Sequence, residues 1–211
     1  AFGSATSNAA TLTVGYTPSI TSQPASLNAI VGTNPTFTVE ATSAVALTYQ
    51  WQKDGADISG ATSASYTINN VLLDANGTIY RCIVSNIYGS TNSNNATLTV
   101  GYAPAFTTHP ASADRAAGTS ATFSFSLDLS SSTPPFTYQW QKDGADISGA
   151  ISDSHTLSNV QLDANGTTYR CIVSNAFGSA TSNAATLIVG IPPTFTSQPA
   201  SKNAIIATSH T

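Results

Sequence analysis

The stretch YQWQKDGADISGA stands at Tyr49–Ala61 and again, letter for letter, at Tyr138–Ala150, 89 residues further on. Within it Tyr49 and Trp51 alternate with Gln50 and Gln52, the period-2 pattern of a strand with one dry face. This pattern points Gln50 and Gln52 outward. Lys53-Asp54-Gly55 then supplies a tight turn, because Asp and Gly tolerate the left-handed backbone that a short hairpin demands. A strand and its hairpin turn, repeated intact, predict an all-β chain built from duplicated modules.

The duplication continues outward. DANGT stands at Asp74–Thr78 and Asp163–Thr167, and YRCIVSN at Tyr80–Asn86 and Tyr169–Asn175. NAATLTVG at Asn8–Gly15 returns as NNATLTVG at Asn94–Gly101 and NAATLIVG at Asn183–Gly190. SQPAS at Ser22–Ser26 returns as THPAS at Thr108–Ser112 and SQPAS at Ser197–Ser201. The closing glycines 15, 101 and 190 set periods of 86 and 89 residues. The three extra residues fall around SSSTPPF, Ser130–Phe136. The division expected is therefore a final strand of a preceding repeat at 1–15, whole repeats at 16–101 and 102–190, and the first strands of a following repeat at 191–211. On this reading the 211 residues begin and end inside repeats.

Composition excludes several classes. Charged residues make up 8% of the chain, against about 25% in an ordinary soluble domain. With six Lys plus Arg and a net charge of −4, the basic footprint of a nucleic-acid binder is missing. No apolar run approaches the roughly 20 residues of a membrane span. The two cysteines, Cys82 and Cys171, occupy the same slot in two copies and so do not make an evident pair.

Within the first repeat, TFTVEAT sets Phe37 and Val39 inward, SYTIN sets Tyr66 and Ile68 inward, IYRCIVS sets Tyr80, Cys82 and Val84 inward, and ATLTV sets Leu98 and Val100 inward. The order Trp, Asp-Gly, Tyr-x-Cys, Ser-Asn-x-x-Gly and a closing Leu-x-Val resembles the immunoglobulin-like β-sandwich, closest to the intermediate-set type found in tandem on bacterial surface proteins. The resemblance covers both whole repeats and both stubs. It implies Greek-key sandwiches arranged head to tail. It makes Trp51 and Trp140 the core tryptophans of the third strand, and Tyr80 and Tyr169 corner tyrosines whose hydroxyls bond backbone upstream. It also puts Cys82 and Cys171 at the cysteine position of the sixth strand. The partner cysteine of the second strand is replaced by Val39 and Phe125, so no intersheet disulfide forms. Asn76 and Asn165 stand where the family carries Asp, which implies a longer or reshaped turn before the sixth strand.

Chemistry is sparse. His109 aligns with Gln23, His155 with the aromatic Tyr66, and His210 with Pro35. None has a carboxylate or cysteine at metal-ligand spacing, and no nucleophile elbow or phosphate loop occurs. No catalytic, cofactor-binding or metal residue is assigned, and no cofactor is expected. Asp54 with Asp57, and Asp74 with Asn76, offer two or three oxygens where calcium takes six to eight, and read as turn chemistry. Asn76, Asn95 and Asn165 begin glycosylation sequons.

The joints Gly15-Tyr16-Thr17-Pro18, Gly101-Tyr102-Ala103-Pro104 and Gly190-Ile191-Pro192-Pro193 are short and proline-limited. In the resembling fold, the turn before the last strand faces them. Two readings stand for its aromatics: Tyr88 packs near Tyr16 and Phe177 near Tyr102, stiffening the joint, or the rings only cover their own domain. With strands of about ten residues rising roughly 3.4 Å each, every repeat would lengthen a rod by about 35 Å. The function expected is a non-catalytic structural segment of an extracellular or cell-surface filament, fibre or stalk, associating with itself or with neighbouring repeats. The alternatives are an adhesin binding protein or glycan through end loops, with Ser130–Phe136 as candidate, and an accessory module of a larger secreted enzyme.

Overall fold

Trp51 faces Cys82 across an antiparallel ladder, and the first set of strands closes around that pair. The computed structural model describes residues 2–203. The first set is β1 (Ser19–Ser22), β2 (Leu27–Ile30), β3 (Thr36–Thr38), β4 (Glu40–Thr42), β5 (Thr48–Lys53), β6 (Ala56–Asp57), β7 (Ser65–Thr67), β8 (Ile79–Asn86), β9 (Gly89–Asn92) and β10 (Ala96–Gly101). One sheet has the order β2-β10-β8-β5-β6, with β9 also on β8. Opposite it lie the pairs β1-β4 and β3-β7. β3 and β4 are one strand broken at Val39, whose N–H donates to Ala64 O at 3.0 Å. β2 runs parallel to β10, with Leu27 beside Leu98 and Ile30 beside Gly101.

The second set repeats the plan: β11 (Phe106–Thr108), β12 (Ala113–Ala116), β13 (Ala121–Ser124), β14 (Ser126–Leu127), β15 (Thr137–Lys142), β16 (Ala145–Asp146), β17 (Ser154–Leu157), β18 (Thr168–Asn175), β19 (Gly178–Thr181) and β20 (Ala185–Gly190). Its sheet order is β12-β20-β18-β15-β16 with β19 on β18, facing β11-β14 and β13-β17. The chain is all-β, two immunoglobulin-like sandwiches in tandem without a disulfide, and both cysteines are free and buried. Among the described residues the only helical pieces are single 3-10 turns, Leu73–Ala75 and Leu162–Ala164.

The hairpin after Trp51 forms because Asp54 and Gly55 both take positive φ, 49° and 86°, which matches the twist of the flanking strands. Asp54 Oδ1 then accepts from Ile79 N–H at 2.9 Å, fastening the hairpin to β8. Asp143 does the same for Thr168 at 2.8 Å.

Each core is an aromatic stack between the sheets. Phe37 and Tyr80 stack at 4.7 Å, with Trp51 6.2 Å from Phe37 and Tyr66 6.0 Å from Tyr80. The second core stacks Phe123 on Tyr169 at 4.8 Å and sets His155 between Trp140 and Tyr169. Burying each large side chain contributes about 1.5–3 kcal/mol, and aromatic pairing adds roughly 0.5–1.5 kcal/mol beyond area. In a sandwich without its bridge these rings hold the sheets together.

Two sequence expectations change. The longest strands have eight residues, not ten, because turns at Gly77 and Asn86 cut β8 at both ends. Gln52 lies on the outer face yet is buried, because Asp57 and Arg81 close over it: Gln52 Nε2 donates to Asp57 Oδ1 at 2.7 Å and Arg81 Nε to Gln52 Oε1 at 2.6 Å. Residues 2–18 and 191–203 contain no strand. Leu12 and Val14, counterparts of the buried Leu98 and Val100, are 87% and 80% exposed. His210 and the rest of 204–211 lie outside the described residues.

Compactness does not follow the repeat boundary. Ala1–Thr108, Ser126–Tyr138 and Ile172–Thr181 form one unit; His109–Phe125, Gln139–Cys171 and Ser182–Thr211 form the other.

Candidate functional site

The core residues singled out by sequence fall as follows. Val39, Trp51, Tyr80 and Cys82 share one buried cluster. Trp140, Tyr169 and Cys171 are likewise buried, while Phe125 is half-buried with its ring 5.9 Å from that of Trp140. The indole N–H groups are satisfied, Trp51 Nε1 by Ser63 O at 2.9 Å and Trp140 Nε1 by Ser152 O at 3.0 Å. Burial pushes both thiols up, Cys171 to about 11, which suppresses the nucleophilic thiolate.

The corner-tyrosine bond is not made among the described residues. The Tyr169 hydroxyl instead receives a long bond from Thr167 Oγ1, 3.4 Å. The 3-10 turn before β8 sets Asn76 against the last strand. Asn76 Oδ1 accepts from Val100 N–H at 2.9 Å, and Asn165 Oδ1 from Val189 N–H at 2.9 Å. An asparagine thus ties this turn to the last strand in each repeat.

The turn between β8 and β9 is the most organised surface of the first repeat. Asn86 Oδ1 accepts from Tyr88 N–H at 2.8 Å, which shapes the turn. Its Nδ2 donates to Tyr16 O at 2.8 Å and to Ser43 Oγ at 2.9 Å. Thr91 Oγ1 donates to Pro18 O at 2.7 Å. The second repeat builds the same clamp: Asn175 Oδ1 accepts from Phe177 N–H at 2.9 Å, and its Nδ2 donates to Tyr102 O and Thr133 O, both at 2.7 Å. The sequence marks Asn86–Gly89 as a tight turn but does not show the bonds that Asn86 and Asn175 send to the chain entering each repeat. The signal was the fixed spacing of that asparagine from its glycine.

The aromatics of this turn lie against glycines of the joints. Tyr16 is 90% exposed, and its carbonyl rather than its ring is engaged. The ring of Tyr88 instead fills the space beside Gly15, where a Cβ would collide with it. The ring of Phe177 stands in the same relation to Gly101. Tyr102 is half-buried and held by backbone, its N–H donating to Thr133 Oγ1 at 2.9 Å.

The loop proposed for ligand contact, Ser130–Phe136, spends its polar groups on its own scaffold. Ser132 is buried, and its Oγ accepts from Ala105 N–H at 2.9 Å. Asp128 accepts from Ser130 N–H at 3.0 Å and from the hydroxyls of Ser130 and Ser131; these serine bonds hold its carboxyl down at about 2.

His109 and Gln23 do equal work, accepting from Asn183 N–H at 3.1 Å and Asn94 N–H at 2.8 Å. His155 has a buried Nε2 with no hydrogen-bond partner, and burial depresses its pKa. Among the described residues no three His, Cys, Asp or Glu side chains gather where a metal could be held. Asp57 Oδ1 and Asn76 Oδ1 are engaged by protein donors.

Residues 17–86 match a family model described as an immunoglobulin domain, and residues 118–189 match a second model of the same description. The chain is 34% identical over 183 residues to Endoglucanase C of Cellulomonas fimi, covering 83% of this chain and 16% of that protein. It is 28% identical over 204 residues to mouse leucine-rich repeats and immunoglobulin-like domains protein 3, covering 83% and 18%. The chain thus spans about a sixth of the length of the curated relatives it matches. Among solved structures, extracellular domains 3–5 of Drosophila OTK superpose with a TM-score of 0.66 at 20% identity, over 82% of this chain and 62% of that one. An I-band fragment of titin gives 0.59 at 22% identity, over 88% and 70%. At these identities the structural likeness is one of fold.

Proposed function

Because this chain belongs to the immunoglobulin domain family through both of its repeats, we propose that it is a non-catalytic spacer segment of a larger extracellular or cell-surface protein. The observation that carries this reading is the residue-for-residue recurrence of the turn clamp, Asn86 with Tyr88 and Asn175 with Phe177. Both copies spend their best-placed polar groups on fastening the chain that leads into the repeat, and neither turns them outward to a ligand. The low charge leaves strand edges clothed in Thr, Ser, Asn and Ala, a surface suited to lateral association with like repeats. No helix among the described residues is long and apolar enough to cross a membrane.

A second reading is favoured by the 34% identity to Endoglucanase C: the repeats are an accessory module of a secreted polysaccharide-acting enzyme. One experiment separates the two. The 211-residue protein is passed over a glycan array and insoluble polysaccharides, and imaged by negative-stain microscopy. A spacer is retained on neither support. Saturable retention on one polysaccharide would move the assignment to the accessory module, and ordered fibres in the micrographs would extend the spacer to a filament subunit.

A further inference from the structure

The glycines that close Ala-Thr-Leu-x-Val-Gly occur at 15, 101 and 190, yet their surroundings differ. At Gly15 a Cβ would fall into the ring of Tyr88, and at Gly101 into the ring of Phe177, both contacts lying within the first compact unit. At Gly190 a Cβ meets nothing within 4 Å. Gly101 is buried; Gly190 is exposed, beside Ile188 at 50% and Ile191 at 71% exposure.

An open groove of about 370 Å³ lies at Gly190, lined by Asp114, Arg115 and Ala116 of β12 together with Ile188 and Ile191. The corresponding β2 residues are Asn28, Ala29 and Ile30, and they line a groove together with Phe177. β2 on β10 and β12 on β20 pair in the same parallel register, and the first strand of each pair lines its groove. At Gly15, Gly101 and Gly190, which do not take positive φ, the reason left for a glycine is the close approach of a neighbour. At 15 and 101 that neighbour is a ring; at 190 the glycine is present without one.

We infer that the groove at Gly190 is an acceptor for the aromatic side chain of a turn like Asn86–Gly89 or Asn175–Gly178, presented by a further repeat of this same sequence type. The occupant is identified by the two seated cases. In each, the ring comes from the repeat entered directly after the glycine, and Ile191–Ser201 continues the chain with the same head sequence, Ser197–Ser201 repeating Ser22–Ser26. Ile188 and Ile191 give the groove an apolar side that fits the ring of Tyr or Phe, and its open edge leaves room for a tyrosine hydroxyl. This goes beyond the spacer reading: freely hinged repeats would make an equally good spacer, so failure here leaves that reading standing.

The test is a lengthened chain in which residues 102–190 are appended again directly after Gly190. A companion carries Ser in place of the turn phenylalanine of the appended copy. Side-chain methyl and amide spectra are compared with those of the original chain. Expected is an upfield ring-current shift of Ile188 methyl and Gly190 amide signals in the phenylalanine version, lost in the serine version. In the original chain Gly190→Val should melt unchanged while Gly101→Val melts lower, since only the second displaces a ring. Identical Ile188 and Gly190 signals in the two lengthened chains would overturn the inference. So would a concentration-dependent shift in the original chain, which would assign the groove to a second copy instead.

Discussion

The imidazole of His155 lies 6.0 Å from the ring of Tyr169, in the place where the first repeat sets Tyr66 beside Tyr80. The substitution keeps the stack but introduces a titratable nitrogen, Nε2, which is buried and unpartnered. Its neighbours are the rings of Trp140 and Tyr169 and, across the β13–β17 ladder, Phe123. A proton on that ring would be desolvated with no acceptor in reach.

Acid should therefore weaken the second repeat selectively. Burial lowers the folded pKa of His155 below the usual value near 6.5. Above that value both states are neutral and the stack is at full strength. As pH falls from about 6.5 toward the lowered folded value, the unfolded chain takes up the proton first and stability drops. Hydrogen exchange of β17 and β18 at pH 7.5 and pH 5 should show faster opening in acid, with β7 and β8 little changed. His155→Tyr should remove the difference; equal acid sensitivity of both repeats would contradict this.

Cys82 and Cys171 should resist thiol reagents in the native state. Both are fully buried, and Cys82 N–H is capped by Ser93 Oγ at 2.8 Å as Cys171 N–H is by Ser182 Oγ at 2.9 Å. With the Cys171 thiol near 11, its thiolate fraction at pH 8 is about one in a thousand. A chromogenic disulfide reagent should read two thiols only after denaturant is added. Prompt labelling of either in native buffer would show that the sandwich opens locally.

Much of this architecture was legible because it rests on period and repetition. Trp51 and Cys82 alternate inward on strands of unmistakable pattern, and their pairing across β5 and β8 follows once the two strands are neighbours. What was not legible depends on which group covers which. Gln52 reads as an outward residue, and it is buried where Asp57 and Arg81, from neighbouring strands, close over it. Tyr88 and Phe177 read as joint aromatics, yet nothing in the pattern says that each ring is seated on a glycine, Gly15 or Gly101. Asn76 reads only as a departure from the family's Asp, and its bond from Val100 N–H appears only once the turn lies against the last strand. Such choices among nearby donors are made in three dimensions and leave little trace in hydrophobic order.

Asp128 should keep its loop in place well into acid. Its carboxyl titrates at about 2 because Ser130 and Ser131 donate to it. A depressed carboxylate contributes above its unfolded pKa of about 3.9 and is lost as pH falls through the folded value. The Ser130 amide resonance should hold its position down to about pH 3 and move below it. Asp128→Asn should abolish that transition; a midpoint near the ordinary carboxylate value would mean the serine bonds are not populated.

The asparagine clamps carry the sharpest stability prediction. Asn175 accepts one bond from Phe177 N–H and gives two, to Tyr102 O and Thr133 O. Asn175→Ala removes all three and leaves half-buried backbone groups to find water. Each lost bond costs about 0.5–1.5 kcal/mol, and partial rehydration limits the total to roughly 2 kcal/mol. Asn86→Ala loses the bonds to Tyr16 O, Ser43 Oγ and Tyr88 N–H, and should cost about the same. Asn→Asp keeps the acceptor for the turn N–H but forfeits the donor, so it should fall between wild type and Ala. Denaturant melts of the three forms, with hydrogen exchange at Tyr102 and Phe177, check the order. If Asp and Ala were equally destabilising, the damage would lie in the bonds to Tyr102 and Thr133 carbonyls alone, and the turn bond to Phe177 N–H would carry no weight.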